Sequence, residues 1–275
     1  MPELPEVEHV VRALRPVVVG RRILAAHLNL KRISPGNSKT NFDKQLKNLK
    51  VIAVGRRGKH ILFELESGGL LTTHLRMTGK FVSLQTDDKL PPYAHVVFYL
   101  DDERRLVYCD MRQFGRMRLI KDSAKLPKEL LALAPEPLSE EFTEEYFLET
   151  LARSRRSLKT LLLDQTRVLG LGNIYAVEAL FLAGIHPLKQ ADTLSKPRAR
   201  KLYDAIRVTL QEAIDVGSTL KIDMNDGEAS YFGTSERFWR VYEREGEPCV
   251  NCGTRIRRIA HGGRSTYFCP KCQKR

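Results

Sequence analysis

The chain has 275 residues, with 46 Lys and Arg against 33 Asp and Glu, a formal charge of +13. Its 42% hydrophobic and 29% charged residues, with only 18 Gly and 13 Pro, exclude a disordered or fibrous protein and leave room for more than one folded domain. No apolar run nears the roughly 18 residues of a membrane span, and the acidic start Met1-Pro2-Glu3-Leu4-Pro5-Glu6 is unlike a signal peptide. The expectation is a cytoplasmic protein without a membrane partner, its positive charge suited to nucleic acid ahead of an anionic membrane face.

In chain order, Val7, Val10, Val11 and Leu14 recur at helical spacing and predict a helix that ends near Pro16. Pro5 suits its first turn, and Glu3, Glu6 and Glu8 suit the positive end of its dipole. From about Arg22 to Lys121 short β-rich runs follow, among them residues 60–65, 94–100, 105–108 and 116–120, and turn signals such as Ser67-Gly68-Gly69 separate them. An antiparallel sandwich or barrel is expected there. Ala134-Pro135-Glu136-Pro137 breaks the pattern. Helices are then predicted over Ser157 to Gln165, over Ile174 to Ala183 and from Ser195 onward, with two glycine-containing turns at Arg167 to Asn173 between the first pair. Residues 217–236 are polar and without clear periodicity.

Cys249-x2-Cys252 and Cys269-x2-Cys272 offer two pairs of thiolates across a segment able to form a hairpin. Redox-active pairs are the alternative to one tetrahedral zinc ion, but the spacing favours zinc, and four thiolates leave no open position for catalysis. The metal is therefore read as structural. Arg264 and its basic neighbours, with no Asp or Glu after Glu247, suit phosphate contact. Cys109, in an apolar run, reads as a core residue. Asn173 reads equally as an N-cap or as a phosphate ligand at a helix start. Removal of Met1 would expose the Pro2 amine beside Glu3 and Glu6, a possible nucleophile with adjacent proton donors.

Met1-Pro2-Glu3-Leu4-Pro5-Glu6-Val7-Glu8, Gly170-Leu171-Gly172-Asn173-Ile174-Tyr175 and residues 263–272 together resemble the bacterial formamidopyrimidine-DNA glycosylases, over essentially the whole chain. The resemblance implies an α+β multidomain fold. A helix leads into an N-terminal antiparallel β-sandwich (1–133), followed by a helix-two-turns-helix domain (134–238) with a lesion-capping loop (217–238), then a zinc-binding β-hairpin (239–275). It implies excision of oxidised purines from damaged duplex DNA, followed by β,δ-elimination; a monomer on DNA is the simplest expectation. Pro2 would be the nucleophile, Glu3 the general acid, Glu6 a supporting carboxylate and Lys59 a DNA contact near the reaction centre. Asn173 and Arg264, with Lys159, would grip phosphates, and Met77, Arg112 and Phe114 would fill the gap left by an extruded base. By residue type alone, Met77 and Phe114 would be assigned to the core.

Two positions depart from the family pattern: Val177, where an acidic residue is usual, and Ser218 to Met224 in the capping loop. An endonuclease VIII-type enzyme acting on oxidised pyrimidines is the nearest alternative. A noncatalytic zinc-dependent DNA-binding protein is the other, and it would have no need of Pro2 and Glu3.

Overall fold

The computed structural model describes residues 1–218 and 239–274, so the capping-loop expectations for Ser218 to Met224 and for residues 219–238 lie outside the described residues, apart from the helical backbone of Ser218. The chain divides into two compact units, Met1–Leu131 and a second that contains Ala132–Val216 with residues 239–274. Among the described residues no helix is long and apolar enough to cross a membrane.

The first unit opens with helix α1, Leu4–Val18. Glu3 is its N-cap, Pro5 lies in its first turn where no intrahelical N–H is needed, and the Glu3 N–H donates to Glu6 Oε2 at 2.9 Å. The predicted stripe of Val7, Val10, Val11 and Leu14 is fully buried. The helix continues two residues beyond Pro16, because a proline so near the C-terminus forfeits one bond and the Val19 N–H still reaches the Arg15 carbonyl at 3.0 Å.

The remaining elements of this unit are β1 (Ile23–Leu28), α2 (Lys39–Leu46), β2 (Val51–Arg57), β3 (His60–Leu65), β4 (Leu70–His74), β5 (Gly79–Gln85), β6 (Ala94–Leu100), β7 (Arg104–Asp110), β8 (Arg116–Ile120) and a short turn of helix, α3 (Lys128–Leu131). The strands form two antiparallel sheets, ordered β1-β6-β7-β5 and β2-β3-β4-β8. Phe63 of one sheet meets Phe81 of the other edge-on at 5.7 Å, and Phe81 meets Tyr108 at 5.3 Å, so the two inner faces share one aromatic core. Helix α1 packs its valines into the same core.

Helix α2 interrupts the span read as β-rich. Only Phe42 and Leu46 of its eight residues are buried, so its periodicity is faint, and the Ser38 N-cap that accepts from Asn41 N at 3.1 Å is its clearest signal.

The second unit carries α4 (Glu144–Ala152), α5 (Leu158–Leu162), α6 (Asn173–Leu182), α7 (Lys196–Ser218) and the antiparallel hairpin of β9 (Arg257–His261) and β10 (Arg264–Phe268). Helix α5 is shorter than its periodicity predicts. Asp164 Oδ1 turns inward on the chain to accept from Thr166 N and Oγ1, at 3.0 and 2.7 Å, and ends the helical path. Helix α6 closes at Gly184, whose φ of +68° suits a residue without Cβ. Val177 is fully buried in one cluster with Phe181, Val241, Cys249, Ile256 and Cys269. The apolar side chain in place of a carboxylate thus welds α6 to the cysteine-bearing segment, which belongs to the helical unit and does not stand apart from it.

Candidate active site and zinc centre

Pro2 is buried at the entrance of α1, and the carboxylates that follow are buried too, Glu3 to 2% and Glu6 to 6% of their exposed area. A helix start is the place where buried carboxylates cost least, since the free N–H groups and the dipole favour negative charge. One turn on, Glu8 pairs with Arg56 at 3.1 Å and Arg12 at 3.0 Å. Burial pushes its carboxyl up, but the hydrogen bonds and charges of Arg56 and then Arg12 outweigh that and hold it below the usual carboxylate range. Arg56 also donates to the Gly58 carbonyl at 3.4 Å, so one guanidinium ties α1 to the turn that carries Lys59. Lys59 itself is 5% exposed.

Beyond that turn, His60 and His74 lie directly opposite each other on β3 and β4 with ring centroids 4.7 Å apart. Burial and the nearby Arg76 lower His60 to about 4. Burial, then His60, Arg76 and Lys59, lowers His74 to about 2. Both imidazoles are therefore neutral at physiological pH. The reading of the sequence did not single out either ring.

Met77, Arg112 and Phe114 come together in the same unit. Arg112 Nη1 approaches Met77 Sδ at 3.1 Å, and its guanidinium sits over the Phe114 ring at 4.9 Å. Met77 is 42% and Phe114 40% exposed, so residue type alone misplaces both in the core. Asp110 holds the loop that presents them. It is buried, and it accepts from Thr78 Oγ1 at 2.5 Å and Gly115 N at 2.7 Å, while Thr78 Oγ1 in turn accepts from Arg112 N at 3.1 Å. A Cβ on Gly115 would lie 1.7 Å from the Tyr108 hydroxyl, so only glycine fits this turn. Asp110 was legible as a polar residue ending an apolar strand, but nothing in the sequence named its partners.

In the second unit, Gln165 staples the double turn: its Nε2 donates to the Leu163 and Leu171 carbonyls at 3.0 and 2.9 Å, and its Oε1 accepts from Gly170 N at 2.9 Å. Asn173 then begins α6 as its first helical residue, with Gly172 as N-cap, which corrects the N-cap reading of Asn173. Its Nδ2 donates to the Ser265 carbonyl at 3.0 Å, and its buried Oδ1 lacks a protein partner. Lys159 is fully buried and donates to the same Ser265 carbonyl at 3.1 Å and to Thr266 Oγ1 at 2.6 Å. Burial, helped by the charge of Arg264, lowers its ammonium to about 8. That places Lys159 inside the unit, holding the hairpin, and not on the surface where a phosphate would meet it. Arg264, at the start of β10, is exposed. At the hairpin's other corner His261 Nε2 lies 2.6 Å from Ser157 Oγ and 3.1 Å from Thr160 Oγ1.

The four cysteine sulfurs lie within 4.8 Å of one another, with Cys249 to Cys272 at 3.9 Å and Cys252 to Cys269 at 3.5 Å. Four ligands at about 2.3 Å around a tetrahedral zinc ion stand about 3.8 Å apart, so the set fits one ion, held as a closed structural centre. The Cys272 N–H points at Cys269 Sγ at 3.4 Å, which favours the thiolate. Gln273 accepts from Cys269 N at 2.8 Å and donates to the Ile185 carbonyl at 2.9 Å, and buried Glu178 of α6 accepts from the N–H groups of Arg240, Val241 and Tyr242, each at 2.9 Å. These two side chains seat the zinc segment on α6. Glu178 was visible in the sequence as the one carboxylate inside an apolar helix.

Comparison with known proteins agrees with this geometry. Residues 1–117 match the Formamidopyrimidine-DNA glycosylase N-terminal domain, residues 133–223 the Formamidopyrimidine-DNA glycosylase H2TH domain and residues 246–275 a zinc finger found in FPG and IleRS. A formamidopyrimidine-DNA glycosylase of Heliobacterium modesticaldum is 44% identical over 278 residues that cover both chains completely. That of Bacillus subtilis is 43% identical over 279 residues, 99% of each chain. Among solved structures, Lactococcus lactis Fpg in complex with DNA containing an abasic site has a TM-score of 0.90 at 35% identity, over 99% of this chain and all of that one. MutM in complex with carbocyclic 8-oxo-G containing DNA has a TM-score of 0.90 at 36% identity over all of both chains. With two domains of this enzyme and the zinc finger matched in order and relatives aligned along the full length, the chain belongs to the formamidopyrimidine-DNA glycosylase family.

Proposed function

We propose that this chain is a bifunctional DNA glycosylase and abasic-site lyase of base excision repair that removes oxidised purines, 8-oxoguanine and formamidopyrimidines, from damaged double-stranded DNA. The observation that carries the reading is Pro2 at the buried, dipole-positive end of α1 with Glu3 and Glu6 beside it. Loss of Met1 turns Pro2 into a secondary amine. An α-amino group has a pKa of about 7.7–8.0, and a helix N-terminus disfavours its proton further, so the neutral nucleophile is available at physiological pH.

The amine lone pair attacks C1′ of the damaged nucleotide, the base departs with the electrons of the glycosidic bond, and the proton that the amine loses passes to the departing base. Glu3 donates its proton to the ring oxygen as C1′–O4′ opens, which leaves an iminium between Pro2 and C1′. The iminium acidifies C2′, whose proton is removed as the 3′-phosphate leaves. A second elimination expels the 5′-phosphate, and water releases the enzyme. Lys59 contacts DNA close to this centre. Met77, Arg112 and Phe114 occupy the space vacated by the extruded base, and Asn173 and Arg264 hold phosphates. Lys159 acts through the hairpin as a positioning residue. Zinc supplies no chemistry beyond closing the segment that presents Arg264. The enzyme works as a monomer in the bacterial cytoplasm.

Glu3→Gln should lower the single-turnover excision rate by about 10²–10⁴-fold while duplex binding persists, and Pro2→Gly should slow strand cleavage. A wild-type rate in either purified variant would contradict the assigned roles.

A further inference from the structure

Two short loops of the first unit cross from one sheet to the other, and they carry the gap-filling side chains. The 75–78 turn leads from β4 to β5 and bears Met77, and the 111–115 turn leads from β7 to β8 and bears Arg112 and Phe114. Since β4 pairs with β8 and β5 with β7, the two crossings run side by side. Each contains a residue in the left-handed region that side chains with a Cβ rarely adopt: Arg76 at φ +58°, just before Met77, and Gln113 at φ +56°, between Arg112 and Phe114. Such a conformation persists only where the surroundings hold it.

Strand β7 supports both turns. Tyr108 and Asp110 stand two residues apart on the same side of the strand, and Tyr108 is seated in the aromatic core against Phe81. Its hydroxyl sits between the glycines that end the two turns: a Cβ would lie 2.3 Å from it at Gly79 and 1.7 Å at Gly115. Asp110 joins the turns by hydrogen bonds. One carboxylate oxygen accepts from the Thr78 hydroxyl and the other from Gly115 N, while its carbonyl accepts from Gln113 N at 3.2 Å and His95 Nε2 at 2.9 Å. The Thr78 oxygen, its proton committed to Asp110, accepts from Arg112 N. A single hydroxyl thus ties the Met77 turn to the backbone that presents Arg112. The bond to Asp110 is charge-assisted, and Asp110 is only 1% exposed, so water does not readily take it over.

Side chains that enter a base stack must arrive already arranged, because an arrangement held only part of the time lowers the rate of entry by that fraction. We propose that Thr78 and Asp110 are positioning residues that fix the two turns as one wedge, so that Met77, Arg112 and Phe114 enter the duplex together and extrusion of the base depends on the Thr78 hydroxyl. In the glycosylase and lyase reading on which this rests, a preformed abasic site has no base to extrude, so it separates extrusion from strand cleavage. The full-length protein, in excess over substrate, is given a duplex with one 8-oxoguanine opposite cytosine, or the same duplex with an abasic site in that place. Thr78→Val removes the hydroxyl and keeps the shape. It should slow base excision about tenfold and leave cleavage at the abasic site within about twofold of wild type. Thr78→Ala, too small to clash, should do the same, and Thr78→Ser, which keeps the hydroxyl, should restore excision. Excision at the wild-type rate in Thr78→Val, equal slowing of both reactions, or a Thr78→Ser variant as slow as Thr78→Val overturns the proposal. A wild-type protein inactive on both duplexes overturns the underlying glycosylase and lyase reading and this proposal with it, an outcome distinct from the other three.

Discussion

Among single residues, Lys159 and Arg264 show how two basic side chains acquire different work. Lys159 is fully buried with its donors on Ser265 O and Thr266 Oγ1, whereas Arg264 projects from the start of β10. Only the second can displace counterions from DNA. Arg264→Ala should therefore weaken duplex binding and reduce the salt slope of log K by about 0.9. Lys159→Met should weaken binding with the slope unchanged and should cost about 1–3 kcal/mol of stability, because the buried acceptors lose a charged donor. A salt slope reduced equally in both variants would show that Lys159 touches phosphate after all. The sequence revealed that both residues are basic. It could not reveal burial, since the burial of Lys159 depends on a hairpin more than 100 residues away. The same holds for Asp110, Gln165 and Glu178, whose partners, backbone groups and the Thr78 hydroxyl, no spacing rule identifies.

Elements were legible in proportion to the apolar residues they bury. Helix α1 and strands β3, β6, β7 and β8 carry regular patterns and lie where the pattern puts them, while α2 buries two side chains and was missed. Across β3 and β4, pairing sets His60 against His74. Their folded values of about 4 and 2 lie below the ordinary 6.5, so the unfolded chain takes up protons first as pH falls. Their contribution to stability is complete above about pH 6.5 and is lost as pH drops from there, toward 4 for His60 and toward 2 for His74. His60→Gln should reduce the loss of stability between pH 7 and pH 5 by on the order of 1 kcal/mol in urea melts. An unchanged pH dependence would mean that the imidazole takes up its proton equally readily in the folded and the unfolded chain. The zinc segment gives a second test of element coupling. Cys269→Ser should release zinc, measured by a chromogenic chelator, and weaken duplex binding because Arg264 loses its rigid support. Retained zinc would contradict the four-cysteine centre.

For the whole molecule, the order of helix, antiparallel sheets, helical segment and cysteine hairpin was readable from composition shifts and from the opening, central and terminal motifs. The grouping of the zinc segment with the helical unit was not, because it rests on the burial of Val177, Val241 and Ile256 in one cluster. In the proposed mechanism the opening motif supplies the nucleophile and the acid. Pro2, Glu3 and Glu6 are close in sequence, so their proximity needs only a helix start, which the sequence predicts and the structure shows. The most direct measurement is borohydride reduction of the protein on a duplex with one 8-oxoguanine opposite cytosine, followed by peptide mass analysis of the trapped product. An adduct on Pro2, in a chain that has lost Met1, is the predicted result. An adduct on a lysine, or none from a correctly processed protein that binds an abasic-site analogue tightly, would contradict the N-terminal proline mechanism on this substrate.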